Sequence, residues 1–178
     1  LGMRDHPSIN HALDRIDTIV EHHPSERTVS TINKLFRFVF LAFEDEDLAD
    51  RENEFDEEIK RLRYTDWLPA IIDGELDTSA WYAPHEIYQS FRSSAFESQV
   101  PVLAIRSDRK RPFNREFLDF LEMQAVPETS VVVDHLNHCI ERSVEANDTV
   151  YQVLTEKLRD EEDIQALEQL RSSRCVYS

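Results

Sequence analysis

Glycine is almost missing from this chain. Among 178 residues there are two, Gly2 and Gly74. A phosphate-cradling loop or a dinucleotide fingerprint needs several glycines in one short window, so both are excluded. Tight β-hairpins lean on glycine where φ is positive, which disfavours an all-β chain as well. Helices punctuated by prolines remain, and the apolar spacing agrees.

Ile9, Leu13, Ile16, Ile19 and Val20 recur at helical spacing between Pro7 and Pro24. Val29, Ile32, Leu35, Phe36, Val39, Phe40 and Phe43 form one broad apolar face after Ser25, with Phe38 off it. A short helix is expected over Asp66–Ile72, then a turn at Asp73-Gly74, and a helix from Pro84 through Phe96. Val100–Ile105 is the single strand-like run, read as an extended link or helix start because of Pro101. Further helices are expected over Pro112–Gln124, Glu128–Ser143, Asn147–Arg159 and Asp163–Arg171, the third capped by Asn147 or Asp148. The expected fold is all-α: about seven to nine short antiparallel helices in one domain spanning residues 1–178, with residues 172–178 as a tail.

Charge bounds the partners. The 36 acidic and 20 basic residues give a net charge of -16. Affinity for nucleic acid or an anionic membrane is largely neutralisation of phosphate by Lys and Arg, so both are disfavoured. A basic or mixed protein surface fits better. Between Glu44 and Glu58 ten carboxylates stand against Arg51 alone. An EF-hand would need a glycine in mid-loop, and none is there, so this run is read as a solvated face. Arg106–Arg115 is the one basic island and is read as an exposed link, with phosphate or RNA as its alternative ligand. No apolar run approaches the length of a membrane span. The start at Leu1-Gly2-Met3 is read as an N-terminus trimmed in preparation or by removal of a targeting segment.

Four groups of residues are candidates for chemistry. Cys139 and Cys175 make neither a disulfide framework nor a zinc spacing and are expected as reduced thiols. His135 and His138 could share a helix face near Cys139, but zinc needs three or four ligands, so ordinary helix histidines are favoured, as for His22-His23. Cys139 beside His135 or His138 is the only nucleophile–base crowding, and its place on the stripe with Leu136 and Ile140 favours packing. No cofactor is expected. Trp67, Trp81, Tyr82 and Tyr88 gather in a broken, proline-flanked segment. They are read either as core filling or as the anchors of a partner-docking patch.

Two stretches share a plan. Ala12–Pro24 and Phe117–Pro127 are each an amphipathic segment ending in proline, followed by an acidic residue and a new helix. Pro24 and Pro127 stand 103 residues apart, about three steps of 34, the period of two-helix repeats. Ser130–Ile140 and Asp148–Leu158 resemble the first and second helices of a pentatricopeptide repeat, and Met123–Pro127 resembles that family's inter-repeat end, without its usual glycine. The resemblance covers about the last 70 residues and, in part, the first 45. It implies an irregular helical-repeat superhelix. Family members usually read single-stranded RNA, one base per repeat. That gives one expectation, an RNA-binding protein of a mitochondrial ribosome or RNA-processing complex. The charge points instead to members used for protein contact. This branch implies a non-catalytic accessory subunit in the mitochondrial matrix, docked on the α and β subunits in the catalytic sector of ATP synthase, reaching the inner membrane only through that complex.

Overall fold

A computed structural model describes residues 8–45, 56–105 and 112–160. Most of the acidic run, the greater part of the basic island, the helix expected over Asp163–Arg171, Cys175 and the tail lie outside the described residues.

Two capped helices open the fold. Helix α1 (Ile9–Val20) starts where the Ser8 hydroxyl accepts from the His11 amide, while the Ser8 amide donates to His11 Nδ1. Helix α2 (Glu26–Glu44) repeats the reciprocal arrangement with Ser25 and Thr28. Satisfying first-turn amides in this way fixes where each helix begins. Leu13, Ile16 and Ile19 of α1 face Ile32, Phe36, Val39 and Phe40 of α2 in one core. Helix α3 (Asp56–Tyr64) packs on α1, where Arg61 Nη2 lies 2.6 Å from Asp17 Oδ2.

The middle of the chain departs from the all-α expectation. The protein is mostly helical, but it also holds a small three-stranded sheet, ordered β2-β1-β3. The residues read as a helix over Asp66–Ile72 are extended. Strand β1 (Ala70–Ile72) pairs antiparallel with β2 (Glu75–Leu76) and with β3 (Val102–Leu103). Pro69 is the physical reason: it pushes the residue before it out of the helical region and supplies no amide of its own. Leu68 accordingly forms an antiparallel bridge to Tyr82. The expected turn is present, with φ 54° at Asp73 and 81° at Gly74. Two successive positive φ values are the type I′ geometry that an Asp-Gly pair favours. The strand-like run at Val100–Ile105 is extended, as one of its two readings had it, and contains β3.

The helix expected from Pro84 to Phe96 is broken. Pro84–Glu86 is a 3-10 turn, and helix α4 (Ser90–Ser93) leads directly into a second one, Ser94–Phe96. Between them Ile87–Gln89 leaves the helical path for hydrogen bonds on both sides. The Tyr88 amide donates to the Pro101 carbonyl, and the Leu103 amide donates to that of Tyr88. On the other side the Gln89 amide donates to the Gln124 carbonyl, and the Gln124 amide donates to that of Ile87.

Helix α5 (Arg115–Phe120) is shorter than its spacing predicted. The Asn114 side chain caps the Phe117 amide at 2.7 Å, and Glu122 at φ 61° ends the helical run. Helices α6 (Thr129–Glu141) and α7 (Asp148–Asp160) fall where expected and pack on each other. Asn147, one of the two proposed caps, accepts from the Thr149 amide at 2.9 Å. Val132, Val133, Leu136, Val150 and Val153 of this hairpin close a second core over Tyr88, Phe96 and Val102.

Candidate functional site

The aromatics singled out in the sequence face inward. Trp67 is wholly buried against Phe36, and its Nε1 donates to the Leu62 carbonyl at 2.8 Å. Trp81 is buried too, its Nε1 reaching the His22 carbonyl at 2.7 Å. Tyr88 is buried in the second core, and Tyr82 is half-buried. Indole N–H groups inside a protein find acceptors, and here both do so within the chain itself. Of the four residues read as a docking patch or core filling, Trp67, Trp81 and Tyr88 pack in the interior and Tyr82 is half-buried, so little of their area is open to a partner.

Tyr82 closes a small polar network. Its hydroxyl donates to Asp77 Oδ2 at 2.7 Å, while the Ser79 amide and hydroxyl donate to Asp77 Oδ1. Burial first, and then the bond to Asp77, push the phenol up to about 12. The donors from Ser79, followed by Tyr82, hold the Asp77 carboxyl below its usual range. Neither group exchanges a proton near neutrality, so the network buckles a turn rather than performing acid–base work.

Helix α6 does bring His135 and Cys139 together, four residues apart, with Nε2 and Sγ separated by 3.5 Å. The ring of His135 stands edge-on to Phe96 at 5.3 Å, and its Nδ1 is buried without a hydrogen-bond partner. Burial, and then neighbouring His138, hold this imidazole below its ordinary value of 6.5. A thiolate–imidazolium pair needs the ring charged, and this site favours it neutral. The arrangement is a hydrogen-bonded thiol in a helix face. Among the described residues no three His, Cys, Asp or Glu side chains are grouped to hold a metal ion. His22 and His23 brace a turn, His22 through its carbonyl to Trp81 and His23 through Nδ1 at 3.2 Å from the Ser79 carbonyl.

Large apolar side chains remain exposed elsewhere. Among the described residues these are Tyr64, Ile140, Val144 and Tyr151, each about half open to solvent. Ile140 lies in the last turn of α6, Val144 in the link and Tyr151 in the first turn of α7, so three of the four belong to one hairpin. The sequence spacing assigned Ile140 to the apolar face, and Tyr151 beside Val150 follows the same three-to-four spacing in the next helix. Position at the helix ends is the signal that separates them, since a stripe carried past the last core layer runs into solvent. Compared with protein-family models, with curated proteins and with solved structures, the chain matches none of them. No helix among the described residues is long and apolar enough to cross a membrane.

Proposed function

We propose that this protein is a non-catalytic accessory subunit that docks on a larger protein assembly through the α6–α7 hairpin. One observation carries the reading: Ile140, Val144 and Tyr151 lie exposed within twelve residues of one hairpin. Single exposed apolar residues are ordinary, whereas three on one helical hairpin supply the apolar area that an interaction surface needs. A chain of net charge -16 suits a basic or mixed protein surface and opposes a polyanion.

The assembly we name is the catalytic sector of mitochondrial ATP synthase, in the matrix, and this part rests on the resemblance of Ser130–Asp163 to a pentatricopeptide unit. The same proposal includes an irregular helical-repeat architecture, with α1–α2 and α6–α7 as helix pairs of that kind. The test is co-migration of tagged protein with the ATP synthase α and β subunits on native gels. The triple variant Ile140→Asp, Val144→Asp, Tyr151→Asp should lose co-migration while keeping its far-ultraviolet circular dichroism. Migration with ribosomal or RNA-processing particles would replace this reading with the RNA-binding one.

A further inference from the structure

A groove of about 890 Å³ opens where the two cores meet. That volume lies in the range of small-molecule sites, roughly 300–1,000 Å³. Leu103, Ile105, Phe113 and Leu118 reach it from the first core and Val126 from the second, giving it an apolar floor. Its polar edge is made by Ser90, Arg115 and Gln152. A further wall is rigid, because Arg92 is clamped by both Nη atoms to Glu156.

The two arginines at this groove differ. Arg92 commits both Nη groups to Glu156, each at 2.7 Å. Arg115 meets Asp119 through Nε alone, at 3.4 Å, and its side chain is 80% exposed. The planar fork of Arg115 can meet a carboxylate or phosphate with two parallel N–H groups from this open position. Among the described residues, an aliphatic floor beside the exposed Arg115 guanidinium matches a molecule that is apolar along its length and anionic at one end.

We propose that this groove binds an amphipathic anion, its medium-length aliphatic chain lying on Leu103, Ile105, Leu118 and Val126 and its carboxylate or phosphate head at Arg115. The chain supplies most of the affinity, since the protein's net charge of -16 opposes an anion at long range. The head group fixes orientation through Arg115. This proposal is independent of the docking role, because no residue named in it belongs to the exposed set on the hairpin.

Titration calorimetry on the full chain, with probes kept below their micellar concentrations, tests it. Decanoate should bind saturably at one site. Octanoate, shorter by two methylenes, should bind on the order of 15-fold more weakly, at about fourfold per buried methylene. Decyl phosphate against decanoate distinguishes the two head groups, and inorganic phosphate alone should not bind. Arg115→Ala should weaken decanoate about tenfold and leave decanol unchanged. Leu118→Trp should fill the floor and abolish binding, with Ala125→Trp at the groove edge as the second variant should Leu118→Trp fail to fold. Absence of saturable binding, an unchanged decanoate affinity in Arg115→Ala, or full binding in a folded tryptophan variant would each overturn it.

Discussion

Arg92 holds Glu156 with both guanidinium Nη atoms, each 2.7 Å from a carboxylate oxygen, across 64 residues of chain. The pair ties α4 to α7. It lowers the Glu156 carboxyl below its ordinary value, chiefly through the hydrogen bond, so its stabilisation is present above the ordinary carboxylate range and lost as the pH falls through the folded value. Glu156→Gln should therefore lower the urea midpoint slightly at low salt. That difference should vanish near about 1 M salt, where the Debye length shrinks to roughly 3 Å. Urea titrations at both ionic strengths check it.

His135 should make the protein acid-sensitive. Its folded value lies below the unfolded one of 6.5, so the unfolded chain binds more protons as the pH falls. The stability it permits is complete above 6.5 and is lost as the pH drops through the folded value. His135→Phe removes the titration while keeping a ring against Phe96. Melting temperatures between about pH 7 and about pH 5 should fall less steeply in this variant than in the parent, apart from the carboxylate contribution both share.

Phe36 stands among Trp67, Phe113 and Phe117, with ring centroids at 5.8, 4.9 and 5.3 Å. It is fully buried. Phe36→Ala should cost about 3–5 kcal/mol, by lost transfer energy and the cavity left behind. Tyr151→Ala, half open to solvent, should stay within about 0.5 kcal/mol of the parent. Denaturant titration of the pair separates core from surface on one scale.

Gly74 holds φ 81° in the β1–β2 turn. A Cβ there would meet only Glu97 Oε1, at 3.6 Å, an ordinary contact. Any cost of Gly74→Ala is therefore backbone conformation, about 1–2 kcal/mol for an L-residue in the left-handed region. Asp73→Gly, relieving φ 54° at the preceding position, should not add to the loss. Thermal melts of both variants provide the comparison.

Legibility in the sequence followed the range of the forces involved. The helices α1, α2, α6 and α7 were readable because local caps and a three-to-four apolar spacing decide them, as at Ser8, Ser25 and Asn147. Asp73-Gly74 was readable for the same local reason. The sheet was not, because β1 pairs with β3, setting Ala70 opposite Leu103 and Ile71 opposite Val102, pairings that no window along the chain contains. Trp67 and Trp81 look alike in the sequence whether they anchor a partner or a core. What decides between those roles is the acceptor each indole finds, the carbonyls of Leu62 and His22. Ile140 and Tyr151 fit the apolar stripe but end in solvent, since spacing reports the face of a helix and not how far the neighbouring layer extends.

The tripeptide Ile87–Gln89 hydrogen-bonds to Pro101 and Leu103 on one side and to Gln124 on the other. One short extended stretch is thus the seam between the wall of the first core and the approach to the second. Opening it would expose both interiors together, so the amides of Tyr88, Leu103 and Gln124 are expected to exchange with solvent only through global unfolding. The α6–α7 hairpin shares its core with Tyr88, Phe96 and Val102, so cut free or grafted onto another chain it would carry an uncovered apolar face.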